Sequence, residues 1–232
     1  MMKKYVVIGG TSGIGLEIVR QLTHQGHSVQ ALSRTEKNLE GLTNVSHIVW
    51  NAVGDDQIPG APPEQIDGLV YCPGSITLKP FHRLTVQDFE ADYRINVLGA
   101  VRAIQYFLPA LKAAGSSSIL LFSTVAVQTG MPFHASISAA KGAIEGLTKS
   151  LSADLAPIVR VNCIAPSLVQ SGLSARLTAS DDKIKASAQR HPLGRIGQPA
   201  DIASMATLLL TDATWITGQV IHIDGGLSSI RV

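Results

Sequence analysis

An alternation running from one end of the chain to the other most constrains how it can fold. Short apolar runs of strand length are separated by longer segments whose apolar residues recur at helical spacing. Tyr5 to Ile8 is the first run, followed by helical periodicity from Gly13 to Gln25. Further strand-like runs are Val29 to Leu32, Val45 to Trp50, Leu69 to Cys72, Ile119 to Phe122, Val159 to Ile164 and Gln219 to Ile223. Helical patterns cover Val86 to Ala114, with an interruption expected near Asn96, then Ala135 to Leu155 and Ala200 to Leu210. Strands that each need a helix before the next strand pair in parallel, and a parallel sheet needs both faces covered. With right-handed crossovers, the expectation is an α/β fold: one doubly wound, parallel, seven-stranded sheet with helices on both faces. No repeat or linker interrupts the pattern, so residues 1–232 read as one domain. The prolines between Pro59 and Pro63 mark a surface loop.

Composition excludes several classes. Charged residues make up 16% of the chain and hydrophobic residues 45%, which supplies a core and argues against disorder. The net charge of +2 comes from scattered Lys and Arg, without the basic stripe of a nucleic-acid binder. Cys72 and Cys163 lie in apolar runs and read as buried thiols rather than a disulfide framework, which suits a reducing cytoplasm. The apolar run after Met1-Met2-Lys3-Lys4 is too short for a signal peptide, and none approaches a membrane span. The expectation is a soluble cytoplasmic protein.

The turn between the first strand and first helix reads Gly9-Gly10-Thr11-Ser12-Gly13-Ile14-Gly15. A pyrophosphate at such a turn needs close backbone approach, which side chains block, and free N–H groups at a helix N-terminus. Glycines also serve ordinary tight turns; here the strand–turn–helix context points to a dinucleotide. After the second strand stand Ser33 and Arg34, where an acidic residue would bind a ribose 2′-hydroxyl. Arg34 can instead meet a 2′-phosphate and Ser33 can donate to it, favouring NADP(H) over NAD(H). Glu36 nearby works against that preference.

With these segments the chain resembles the short-chain dehydrogenase/reductases, of the 3-oxoacyl carrier-protein reductase type, over nearly its whole length. Gly9 to Gly15 resembles the family's TGxxxGxG loop, and Ile95-Asn96-Val97 its Asn-containing helix break. Ala156 to Pro166, Pro192 to Arg195 and Gly218 to Gly226 are similar to its later signatures. The resemblance implies a Rossmann fold and hydride transfer between a nicotinamide cofactor and a carbonyl or alcohol. It implies cofactor contacts from Gly9, Thr11, Ser12, Gly13, Ile14, Asn51, Gly74, Pro166, Val169 and Ser171. In that family a Tyr exchanges the proton, and a Lys four residues later lowers its pKa and holds the nicotinamide ribose. A Ser orients the substrate, and an Asn supports a proton path. Here Asn96 and Lys141 match, and Thr124 takes the Ser place, with Ser123 as its neighbour. The Tyr place falls on Ile137, which cannot exchange a proton.

Three readings follow from that departure. His134, three residues before Ile137, could serve as a substitute acid. Alternatively, Lys141 or an ordered water supplies the proton while Thr124 orients the substrate. In the third, the chain binds NADP(H) and acts as a cofactor sensor or partner subunit. The segment from Leu168 to Arg190 reads as a lid over a partly apolar pocket, or as an ordinary surface loop. The small residues of the Ala135–Leu155 helix allow a symmetry mate to approach, as the resemblance implies for homodimers and homotetramers.

Overall fold

The core is divided by the pleat of its strands. Lys4–Ile8 forms β1: Val6 and Ile8 enter one apolar cluster, Tyr5 and Val7 the other. The same division runs through β2 (Ser28–Ser33), β4 (Gly68–Tyr71), β5 (Ser117–Phe122) and β6 (Val159–Pro166). Leu69 and Tyr71 face one way, Val70 the other; Ile119 and Leu121 oppose Leu120 and Phe122. One cluster is closed by α3 (Gly99–Ala113) and α5 (Ala135–Leu155), the other by α1 (Gly13–His24) and α7 (Pro199–Thr211). Two-sided burial explains why the central strands read as continuous apolar runs; each fully buried Leu or Ile contributes about 1.5–3 kcal/mol.

The computed structural model describes residues 1–54 and 56–231. With β3 (Val45–Val49) and β7 (Val220–Ile223), the described strands form a seven-stranded sheet in the order β3-β2-β1-β4-β5-β6-β7. Every neighbouring pair is parallel. The doubly wound architecture expected from the alternation is thus the one observed. The chain starts in the middle, winds outward to β3, then crosses back past β1 to β4. That reversal opens a crevice beyond the carboxyl ends of β1 and β4, where doubly wound sheets bind ligands.

The helical segment from Val86 to Ala114 is interrupted, as expected, but the backbone does not break. Val86–Tyr93 forms α2, Arg94–Leu98 makes a π turn, and α3 continues from Gly99. Asn96 sits in the π turn, and its Nδ2 donates to the Asp92 carbonyl oxygen at 2.8 Å. A side chain that takes a backbone carbonyl competes with the helical ladder, which accounts for the local widening. A short helix, α4 (Ala126–Thr129), follows β5. Within residues 168–190 lies α6 (Asp181–Ala188), so this segment is partly helical. Among the described residues, no helix is long and apolar enough to cross a membrane.

Candidate functional site

A cleft of about 580 Å³ opens at the sheet's reversal point. Its floor is the glycine turn. Gly9 has φ +78, and its N–H donates to the Leu32 carbonyl at 2.7 Å, tying the turn to β2. A Cβ on Gly15 would lie 2.3 Å from the Gly9 oxygen, so no side chain fits there. Ser12 precedes α1 without capping it by its side chain. By contrast, Thr85 with Asp88, Ser180, and Gln198 with Asp201 bond the first turns of α2, α6 and α7. The first amides of α1 therefore stay available to an anion, at the positive end of the helix. Thr11, Ser12, Gly13 and Ile14 all line this floor.

The side wall holds Ser33, Arg34 and Asn51, with two residues that the sequence did not single out: Lys37 and Asn38. Arg34 and Lys37 are exposed, and both line the cleft. Asn38 adopts φ +60 and its Nδ2 donates to the Thr11 carbonyl at 3.0 Å, bracing the mouth. A turn-forming Asn soon after β2 was the available signal for it. The Ser33 hydroxyl is already engaged, donating to Thr35 O at 2.8 Å and lying 2.8 Å from His47 Nε2. Asn51 Oδ1 accepts from Val53 N at 3.2 Å, which shapes a local turn. From the opposite side Ser171, Gly172 and Leu173 come down over the cleft. An added Cβ on Gly13 would sit 3.4 Å from Ser171 Cβ, so this segment rests on the glycine turn. Pro166 ends β6, and Val169 is buried in a bridge to Gly197; neither lines the cleft.

Beyond Gly74 the surroundings become polar and buried. A Cβ on Gly74 would lie 3.1 Å from Asn96 Oδ1 and 3.5 Å from Lys141 Nζ, so both groups face this glycine. Asn96 Oδ1 is buried and has no partner among the described residues, while its Nδ2 donates to Ser75 Oγ at 3.0 Å. Lys141 Nζ donates to the Phe122 carbonyl at 2.8 Å, which anchors it to the end of β5. Burial lowers the Lys141 pKa to about 8, against smaller opposing effects of Cys163, Cys72 and Asp92. Both thiols are pushed up to about 12 by burial.

Thr124 follows β5 half-buried, its Oγ1 accepting from Ala126 N at 3.3 Å. Ser123 points elsewhere and donates to Glu145 Oε1 at 2.6 Å. Ile137 is 5% exposed on α5. His134 stands at the N-cap of that helix, with Nδ1 2.7 Å from the Pro132 carbonyl. Among the described residues it makes no hydrogen bond to Asn96, Thr124 or Lys141. One further group escaped the sequence reading. Asp92, 1% exposed, accepts from Ser75, Thr77 and Ser136 beneath Asn96. The signal was a carboxylate one turn before Asn96, on the inward face of α2.

A family model described as Enoyl-(Acyl carrier protein) reductase matches residues 60–228. A tropinone reductase homolog of Arabidopsis thaliana is 31% identical, over 97% of this chain and 92% of its own length. The chain belongs to the short-chain dehydrogenase/reductase family. Such enzymes are oxidoreductases. The L-xylulose reductase of Bos taurus is 28% identical, over 97% of this chain and 96% of its own length. The structure of a gluconate 5-dehydrogenase from Burkholderia cenocepacia, in complex with NADP and tartrate, superposes with a TM-score of 0.88 at 26% identity. That match covers 99% of this chain and 96% of the other.

Proposed function

We propose that this short-chain dehydrogenase/reductase is an NADP(H)-dependent carbonyl reductase or alcohol dehydrogenase whose proton-exchanging group is Lys141 in place of a tyrosine. The observation that carries the reading is the Lys141 ammonium, tuned by burial to about 8 and facing Gly74 beside Asn96. An acid near that value is suited to proton transfer close to neutrality. His134, the substitute favoured by spacing, is turned to the Pro132 carbonyl instead. Tyr71 and Tyr106 donate to Ile95 O and Gly60 O, Tyr93 is exposed at the end of α2, and Tyr5 belongs to the core against α1 and α7. Each supports a site of atypical composition, with apolar Ile137 four residues before Lys141.

The glycine turn and the uncapped first turn of α1 fit a pyrophosphate: Gly9 and Gly13 put bare backbone on the cleft, and Gly15, with no room for a Cβ against the Gly9 oxygen, lets the turn close tightly under it. Arg34 and Lys37 would hold a 2′-phosphate, with Ser33 secondary because its hydroxyl is engaged. Asn51, on the same wall, would meet the adenine, and Gly74 and Ser171 would complete the cradle toward the nicotinamide. The bound nicotinamide supplies or accepts the hydride. Thr124 orients the substrate oxygen, and Lys141 gives that oxygen a proton in reduction and takes it back in oxidation. Asn96 Oδ1, a buried acceptor with no partner among the described residues, offers an anchor for a water beside Lys141.

Residues 168–190 serve as a lid, already resting on Gly13 through Ser171. The whole chain acts as one domain. Ala139 and Gly146 are exposed on α5, which supports a homodimer or homotetramer formed through that helix. The free thiols Cys72 and Cys163 suit a cytoplasmic location.

Oxidation of NADPH with a panel of ketones and 3-oxoacyl thioesters tests the reading. Turnover should vanish in Lys141→Met and survive His134→Ala. Tight NADPH binding with no turnover on any substrate, and a gain of activity in Ile137→Tyr, would instead favour a cofactor-binding sensor.

A further inference from the structure

The buried carboxylate of Asp92 has no role in the mechanism above. It is the only buried residue of α2. Among the described residues it forms no ion pair. Its oxygens accept instead from hydroxyls on two separate parts of the chain. Ser75 (2.5 Å) and Thr77 (2.9 Å) reach Oδ1 from the segment after β4, and Ser136 (2.7 Å) reaches Oδ2 from α5. Ser75 in turn accepts from Asn96 Nδ2 at 3.0 Å, and the same Nδ2 donates to the Asp92 backbone carbonyl. Two hydrogen bonds therefore connect the carboxylate to the Asn96 amide, whose other end faces Gly74 together with Lys141 Nζ. Ser136 stands next to Ile137, in the turn before Lys141.

A buried carboxylate without a cation in contact is costly, and hydroxyl donors offset only part of that cost. The cation whose field it shares is Lys141, on which Asp92 acts in the direction that favours the ammonium. Of the other groups around Lys141, the two thiols supply no negative charge near neutrality. Cys72, after β4, and Cys163, on β6, are thiols raised to about 12. Glu145, one turn along α5, is turned to Ser123 at 2.6 Å.

We propose that Asp92 is a positioning residue for the reaction centre: it is the buried counter-charge of the Lys141 ammonium, and through Ser75 and Ser136 it fixes Asn96 against the segment of α5 that carries Ile137 and Lys141. The proposal rests on the reading of Lys141 given above, yet it concerns the free protein and can fail separately from it. With no neighbouring phenol to share its proton, Lys141 depends on a remote negative charge. Asp92 supplies that charge without reaching the substrate, from behind a layer of hydroxyls.

The test is a titration of Lys141 by NMR in protein carrying ¹³C-labelled lysine, with the resonance assigned by its loss in Lys141→Met. Neither cofactor nor turnover is needed. Asp92→Asn keeps the size of the side chain and removes the charge; the Lys141 midpoint should fall by roughly a few tenths of a pH unit, the scale of a charge that acts through space without contact. Ser136→Ala disturbs the same cluster but leaves the charge, and its midpoint should stay at the wild-type value. An unmoved midpoint in Asp92→Asn, or an equal fall in both variants, overturns the proposal. Should Asp92→Asn not fold, the wild-type protein still decides: a carboxyl ¹³C signal of Asp92 in its neutral form at pH 7 would rule out a counter-charge. A midpoint that falls as expected in a protein that reduces no carbonyl would leave the counter-charge standing and remove the reductase reading.

Discussion

The two ends of the cleft are built on different physical terms. At the glycine turn the chain contributes absence: a Cβ on Gly15 would meet the Gly9 oxygen at 2.3 Å, and α1 begins without a side-chain cap. Binding of a cofactor there would rely on exposed backbone N–H groups. At the reaction end the chain contributes side chains from four places, namely the segment after β4, α2 with its π turn, the end of β5, and α5. They enclose a lysine whose charge is disfavoured by burial and a carboxylate held by hydroxyls. The first end tolerates no added atom; the second tolerates few changes of charge. Substitutions should therefore divide by type as well as by place.

The largest effect is expected at the glycine turn. Gly15→Ala forces a backbone shift at the junction of β1 and α1. It should destabilise the fold by about 3 kcal/mol in urea denaturation. NADPH binding should be lost to calorimetry. Unchanged binding in this variant would show that the turn is only a connection. At the other end, Lys141→Met should keep the fold and lower carbonyl reduction by about a hundredfold or more. If turnover survives, the proton comes from elsewhere.

The same contrast decides what could be read in advance. Strand runs, their helices and the glycine spacing are local patterns, and each carried its structural meaning unaided. Their parallel pairing and the central reversal followed from the alternation alone. Asn96, Thr124, Lys141 and Ile137 became candidates only through resemblance, because nothing local says that they meet. Lys37 and Asn38 join the cleft wall through the turn after β2, and Asp92 reaches Ser136 across a sequence separation of 44 residues. Contacts of that kind depend on how α2 and α5 settle on each other. Ser33 shows another limit: the residue type suited a phosphate, but nothing local showed that its hydroxyl is also engaged by His47 and Thr35.

Burial of Lys141 has two consequences of opposite sign. With Lys141 as the proposed acid, reduction would need the ammonium, so the rate should decline as pH rises through about 8. Stability behaves otherwise. The folded-state pKa lies below the ordinary lysine value of 10.5, so between about 8 and 10.5 the unfolded chain binds more protons than the folded one. The contribution of Lys141 to stability therefore rises with pH across that window, and its full cost is present below it. Urea denaturation of wild type and Lys141→Met at several pH values should show this slope only in the wild type. A smaller effect is expected at the cleft wall. Arg34→Ala combined with Lys37→Ala should weaken NADPH binding about tenfold or more, the scale of charge-assisted hydrogen bonds. NADH binding should hardly change, because it lacks the phosphate that these cations would meet.

The smallest effect is expected at His134, and it is the one that best separates spacing from geometry. Three residues before Ile137, it stands where a helical repeat would bring an imidazole toward the position of the missing phenol. The helix, however, begins at Ala135, and His134 is its N-cap with φ −100. A residue outside the helical repeat does not share a face with one inside it, and the ring is drawn to the Pro132 carbonyl. His134→Ala should therefore change turnover by no more than about twofold, well below the ~10²-fold loss that follows removal of a working acid. The pH at which activity declines should stay with Lys141 in that variant. A collapse of turnover in His134→Ala, with NADPH binding intact, would mean that the segment before α5 swings inward when substrate binds. The reaction end would then be assembled by movement, while the glycine turn remains formed beforehand.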